Sequence, residues 1–289
     1  MTITAPQDTD AKAAVLGTTL VAMSAVLWSA AGLFTKAATV DAWGVIFWRS
    51  VFSILPILLY VRWKDGPGQL AQLRNMGKAG WAVVLVGAAA TYCFITAFKH
   101  TSIANVATFY ACTPFLAAAI GWLLFRERTS TLTLFAALVA LGGVLIMVWG
   151  SLGTPNIVGD GLGILMAIGM ATLMVLIRRY PKEPMVLAAC ISGAITGALA
   201  TLFTDPLMAS ARDLWILAGF GLAFAAAHIM LTEGARLIPP ARTGLVGTLE
   251  TPLAPVWAWL VLSELPPLTT WIGGGIVLSA VVWNLLRER

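Results

Sequence analysis

Charge is scarce in this chain. Only 11% of its 289 residues are Asp, Glu, Lys or Arg while 59% are hydrophobic, against about a quarter charged and roughly half apolar in an ordinary globular domain. A water-soluble fold needs more polar surface than that, so the sequence is not that of a soluble domain. The formal net charge of +5 does not indicate nucleic-acid binding, because the basic residues are spread over many short connectors rather than gathered into one patch.

Reactive side chains are equally few. The three cysteines, Cys93, Cys112 and Cys190, stand isolated inside apolar runs with no CxxC spacing, which excludes a disulfide framework or a cysteine metal site and leaves inert buried thiols. There is no Walker A loop and no HExxH, and no Ser, His and acid group close enough in sequence to suggest a hydrolase. The glycine-rich GDGLGILMAIG from Gly159 follows no strand and opens an apolar run, so its glycines serve close helix packing rather than a phosphate. No cofactor and no metal are expected.

Long apolar runs are what the chain has in abundance. About 20 residues at a 1.5 Å rise cross a hydrocarbon core of roughly 30 Å. Ten runs approach that length, at about 13–37, 44–61, 80–98, 103–124, 131–149, 157–177, 185–204, 214–232, 243–263 and 268–286. If the N-terminus is cytoplasmic, the connectors on that side hold Lys12, Arg62, Lys64, Arg74, Lys78, Arg126, Arg128, Arg178, Arg179, Lys182, Arg236, Arg242, Arg287 and Arg289. The other side holds only Lys36, Lys99 and Arg212, with Arg49 inside the second run. This is the asymmetry of the positive-inside rule, and it places both termini in the cytoplasm. Asp8 and Asp10 precede a first run too long for a cleaved signal peptide, so that run is expected to be retained.

The runs repeat. CTPFLAAAIGWLLFRE, ending at Glu127, aligns with ETPLAPVWAWLVLSE, ending at Glu264, with a single gap, so that Pro114 matches Pro252 and Cys112 matches Glu250. A small-residue run follows each glutamate, and Trp28 to Lys36 aligns more loosely with Met170 to Arg178. Five spans per copy is an odd number, so the copies cross the membrane in opposite directions. The expected fold is an all-α integral membrane protein of ten transmembrane helices, in two inverted five-helix repeats at 1–150 and 151–289. Inverted repeats with a site at their interface are the architecture of secondary transporters.

These paired TP and Glu positions, over nearly the whole chain, resemble the drug/metabolite transporter superfamily of EamA type, and within it bacterial exporters of amino acids, aromatic ones included. The resemblance implies export of a small metabolite across the bacterial inner membrane. The partners expected are that small-molecule substrate and the lipid bilayer, with no nucleic acid, and the oligomeric state is left open.

Several residues carry the transport expectation. Proline clashes with the carbonyl four residues earlier, so Pro114 and Pro252 free the carbonyls of Tyr110 and Thr248 and mark two hinges that line a cavity. Glu250 sits eight residues past Arg242 in an otherwise uncharged run, where a carboxylate must face the protein interior; there it holds a substrate ammonium, exchanges a proton or donates to a kinked backbone. His228 shares a helix face with Thr232 and is either a substrate contact or a hydrogen-bonded core residue. Trp28, Tyr92, Tyr110 and Trp257 are candidate pocket walls, whereas Trp43, Trp63, Trp81, Trp149, Trp215 and Trp271 fall at run ends as interfacial belt residues. Arg49 is expected to snorkel to the external headgroups, with a substrate carboxylate as the other option. Without a chain of intramembrane acids, transport is facilitative or coupled to one proton at most.

Two other functions stand beside amino-acid export. A multidrug or nucleotide-sugar-like transporter would keep the fold, though an anionic substrate would need more intramembrane bases than Arg49. An integral-membrane enzyme or assembly subunit would need a catalytic cluster that the sequence does not present.

Overall fold

The computed structural model describes residues 6–66, 73–101, 103–149, 156–263 and 265–287; Glu264, the second marker of the sequence repeat, lies outside the described residues. Thirteen α-helices account for nearly all of these residues, and no strand occurs among them. They are α1 (Pro6–Ser29), α2 (Ala31–Ala37), α3 (Ala42–Asp65), α4 (Lys78–His100), α5 (Ile103–Ala111), α6 (Thr113–Phe125), α7 (Thr131–Met147), α8 (Ile157–Arg179), α9 (Met185–Ala200), α10 (Ala211–Ala235), α11 (Pro240–Gly247), α12 (Glu250–Leu262) and α13 (Leu268–Arg287).

Each of the ten apolar runs falls on a helix or on a pair of helices, but the number long and apolar enough to cross a bilayer is smaller. Five qualify: Lys12–Thr35, Ala42–Lys64, Ile157–Arg179, Ala211–Ala235 and Leu268–Arg287. Asn105–Ala111 with Thr113–Phe125, bent by 41°, makes a sixth if the pair is one span. For α7 and α9 length is the reason. α7 and α9 have 17 and 16 residues, about 25 Å of helix at the usual rise, because the runs read from sequence continue past the helix ends into the connectors.

Helix order produces a regular pattern of neighbours. α4 lies along α8 as α1 lies along α10, and α9 packs on α4 as α3 packs on α10. α3 meets α9, α6 meets α11, and α7 meets α13. Exchanging the first five segments for the last five leaves this pattern unchanged. The backbone carries the same signature: among the described residues only Arg126 and Ser263 are non-glycine residues with positive φ, each at 57°, and each ends its apolar helix at the position before an aligned glutamate.

Small residues bring these helices together. A methyl group on Gly143 would stand 2.7 Å from the Gly273 carbonyl oxygen, so α7 and α13 touch backbone to backbone within one chain. Gly17 and Gly234 bring α1 and α10 together in the same way. In the glycine run of α8, Gly159 sits against His100 and Thr101 and Gly169 against Ala90, whereas Gly161 has open space around it. This is the van der Waals packing through which helices associate where lipid is as apolar as the side chains. The opposite faces carry exposed Leu55, Leu59, Leu85, Leu123 and Leu165, over half exposed in each case. Of the six run-end tryptophans, Trp63, Trp81, Trp149, Trp215 and Trp271 are exposed, but Trp43 is buried and stacks on Phe203 at 4.5 Å.

Polar ties close both ends of the bundle. At one end Lys64 pairs with Glu233 at 2.6 Å, Arg236 donates to the Glu183 carbonyl, and the Gly77 N–H donates to the Glu183 carboxylate. At the other, Asp213 accepts from the Thr39 N–H and hydroxyl and from Ser210, Asp41 accepts from Thr204, and Asp160 accepts from Thr101 and Asn105.

Candidate functional site

Four of the residues singled out in the sequence gather around the end of α1. Trp28 meets Phe224 of α10 edge to face at 4.7 Å, and its ring lies 6.3 Å from that of His228. Phe224 and His228, one helical turn apart, stack at 5.5 Å with their planes 13° from parallel. Arg49 of α3 completes the group, its guanidinium carbon 4.1 Å from the centre of the Phe224 ring and 5.9 Å from that of Phe220. Next to Trp28, the Ser29 hydroxyl donates to the Val26 carbonyl and accepts from the Trp257 indole N–H at 2.9 Å, which ties α1 to α12.

Trp28 Nε1, His228 Nδ1 and Arg49 Nε are buried with no hydrogen-bond partner among the described residues. Most buried polar atoms are paired, and an orphan at close quarters costs about 1–3 kcal/mol. These three orphans lie on three helices within one set of ring contacts, which makes the cluster the candidate site.

Glu250 opens α12, where an anion is favoured by the unsatisfied N–H groups of the first turn. It is half-buried and makes no hydrogen bond or ion pair among the described residues. Trp257 lies seven residues on, two turns along the same face. Tyr110 is half-buried on the facing segment, and its hydroxyl comes within 3.6 Å of where a methyl on Gly247 would stand, beside the break that Glu250 follows.

The remaining expected residues are placed differently. Tyr92 is exposed and pairs with Trp43 at 6.5 Å, so it does not join the Trp28 group. Thr248 is buried and its hydroxyl turns back on its own helix, donating to the Leu245 carbonyl at 2.6 Å. Its carbonyl, read from sequence as freed by Pro252, accepts from the Thr251 N–H, and the Tyr110 carbonyl likewise accepts from the Thr113 hydroxyl. Both prolines stand in the first turn of the helix after a break, at Cys112 for Pro114 and at Thr248–Leu249 for Pro252. The first turn needs no N–H donor, so proline starts these helices instead of distorting them. Each is also held by a glycine: a methyl on Gly244 would stand 3.1 Å from Pro114 Cα, and one on Gly274 would stand 3.1 Å from Pro252 Cβ.

Sequence reasoning missed Phe224 and Ser29 and turned Arg49 the wrong way. Rather than reaching for headgroups, Arg49 folds inward over two phenylalanines. The available signal was its isolation: it is the one base inside a run, and an aromatic partner at i−4 from His228 was legible from the spacing.

Fold and site together define a multi-pass membrane protein with a polar, aromatic-walled cluster at the junction of its two halves. Residues 15–149 match the model of the EamA-like transporter family, so the first half of the chain is similar to that family. A solved crystal structure of a protein 18% identical in sequence superposes on 96% of this chain and 99% of its own with a TM-score of 0.81, which establishes the fold as one already observed. No curated protein matches the chain in sequence.

Proposed function

We propose that this protein is a secondary transporter of the bacterial inner membrane that exports amino acids, aromatic ones included, or similar small metabolites by alternating access. The observation that carries this reading is the shared site. Trp28 and Arg49 come from the first five segments, Phe224, His228 and Trp257 from the last five, and the neighbour pattern around them survives exchange of the halves. Two halves related in this way, in opposite orientations, have two equivalent arrangements open to opposite sides around a fixed site. On this reading each half, 1–150 and 151–289, is one repeat, the ten segments are ten spans, and α7 and α9 span by local thinning of the bilayer.

The end ties support the orientation with both termini in the cytoplasm. The end bearing Lys64, Arg178 and Arg236 is the basic one, and the end tied by Asp41, Asp160 and Asp213 uses hydroxyl and amide donors. Glu250, a carboxylate inside the ninth apolar run, is the group that would couple transport to a proton or hold a substrate ammonium.

Uptake of radiolabelled amino acids into proteoliposomes, with and without an imposed proton gradient, tests the reading. Saturable uptake is expected. Dependence on the gradient that disappears in Glu250→Gln assigns Glu250 to coupling, insensitivity to the gradient makes the protein a facilitator, and absence of uptake for any amino acid refutes this substrate class.

A further inference from the structure

Arg49 makes no ion pair among the described residues. It lies seven residues into α3, about 10 Å along the helix, and no described acidic side chain pairs with it. The described carboxylates on α3 and on the elements packed against it are engaged elsewhere. Asp41 caps its own helix through Gly44 and accepts from Thr204; Asp213 accepts from Thr39 and Ser210; Glu233 pairs with Lys64 and Arg236. α9 has no acidic residue. A guanidinium among apolar helices with no counter-charge is costly, and the cation–π attraction of the Phe224 and Phe220 faces offsets only part of that cost. Such a residue persists where function requires the charge.

We infer that Arg49 is the specificity-determining residue of the proposed transport site, taking the carboxylate of a monoanionic ligand whose flat apolar body lies among Trp28, Phe224 and His228. The inference rests on the transporter reading for its physiological meaning but not for its chemistry. The planar fork of a guanidinium matches a carboxylate through two parallel N–H donors, which an ammonium does not. Trp28 Nε1 is an unpartnered donor among the described residues, on α1 against the same Phe224 ring that Arg49 covers. One guanidinium neutralises one negative charge, so a carboxylate fits, whereas a phosphate dianion would bring a second charge that no other cation in the cluster meets. The rings of Trp28, Phe224 and His228, now in edge-to-face and stacked contact with one another, give an apolar body aromatic faces to exchange for those contacts.

The test uses the purified full chain in detergent and reads ligand-induced thermal stabilisation. The ligands are indole-3-propionate, its carboxamide, and an indolyl-alkyl phosphate. The acid is expected to bind about tenfold or more tighter than the amide, the margin of a charge-assisted bidentate contact. The phosphate is expected to be weaker than the acid. Arg49→Gln should bring acid and amide to the same affinity, and Arg49→Lys should restore part of the preference. Equal binding of acid and amide by the unmodified protein, no stabilisation by the acid, or an acid preference that survives in Arg49→Gln each overturn the inference; the first two need no variant to fold. Uptake of the same labelled acid into proteoliposomes separates the two readings. Binding without uptake refutes the transporter and leaves the carboxylate site standing, whereas equal uptake of acid and amide refutes the carboxylate site alone.

Discussion

The contact between α7 and α13 predicts that Gly273 tolerates nothing larger, and Gly273→Ala is the perturbation to make. The added methyl would meet the Gly143 carbonyl oxygen and the Met147 amide nitrogen, the latter at 2.7 Å, as well as Met147 Cγ at 2.6 Å. Two of these three atoms are backbone, so no change of rotamer relieves the clash. The helices must separate by more than about half an ångström in an interior packed as densely as an organic crystal. That movement loosens Ala136, Ala140, Val144, Val277 and Val281, which form one buried cluster across the same contact. Overpacking costs about 1–3 kcal/mol, and alanine returns up to about 1 kcal/mol over glycine in a helix. Net destabilisation is therefore about 1–2 kcal/mol. Gly275, on the exposed side of the same helix with nothing within 4 Å of the added methyl, is the control. The midpoint of thermal unfolding in detergent, followed by fluorescence-detected size exclusion, should fall for Gly273→Ala and hold or rise for Gly275→Ala. A Gly273→Ala midpoint at or above that of Gly275→Ala would refute the reasoning.

Other substitutions separate the site from its surroundings. Trp28→Ala removes one wall of the cluster and should reduce substrate uptake at least tenfold, about 1.4 kcal/mol of lost interaction, whereas Tyr92→Ala should leave uptake unchanged at equal protein density in the liposomes. Trp257→Phe deletes the indole N–H that Ser29 accepts; it should lower stability by about 1 kcal/mol, read as a drop in the thermal midpoint that Trp257→Tyr does not repair. Lys64→Ala breaks an ion pair whose side chains are 36% and 18% exposed and should cost below about 1 kcal/mol; a larger loss, measured in the same thermal assay, would mean that Glu233 depends on Lys64 more than on Arg236.

How much of this was legible in the sequence depended on whether the signal was local. Apolar runs are local, and each of them became helix. Positions of breaks were nearly legible: the prolines were visible, but proline is so well suited to a first helical turn that it lies just after the interruption, and the interruptions fall at Cys112 and at Thr248–Leu249. The break at Ala30 has no proline beside it; Gly32 stands in the first turn of α2, and the Ser29 hydroxyl donates to the Val26 carbonyl and accepts from Trp257, 228 residues away. Five described helices, six with the bent pair, are long and apolar enough on their own to cross a bilayer, fewer than the ten runs, because hydropathy does not stop where a helix stops. At the site, charge and ring chemistry pointed to Trp28, His228, Glu250 and Trp257, but direction was not available. Whether Arg49 turned to the headgroups or to the interior depended on Phe224 and Phe220, far along the chain, and Tyr92 differs from Tyr110 only in which face of its helix meets neighbours.

The two halves share a pattern but not a shape, and under the proposed mechanism that difference defines the conformational state. Trp28 to Lys36 aligns with Met170 to Arg178, so Ala30 corresponds to Thr172. At Ala30 the first segment is interrupted, whereas α8 runs unbroken through Thr172, whose hydroxyl donates to the Ile168 carbonyl within the helix. Alternating access between equivalent arrangements requires these shapes to be exchanged: the first segment straightens at Ala30 while α8 bends near Thr172. Ser29 and Trp28 immediately precede the interruption, so straightening there moves both. The Trp257 bond to Ser29 is then lost together with the edge-to-face contact of Trp28 on Phe224. The ligand beside Arg49 would lose one wall in the same motion that opens its path, which ties release to the change of state without a separate gate.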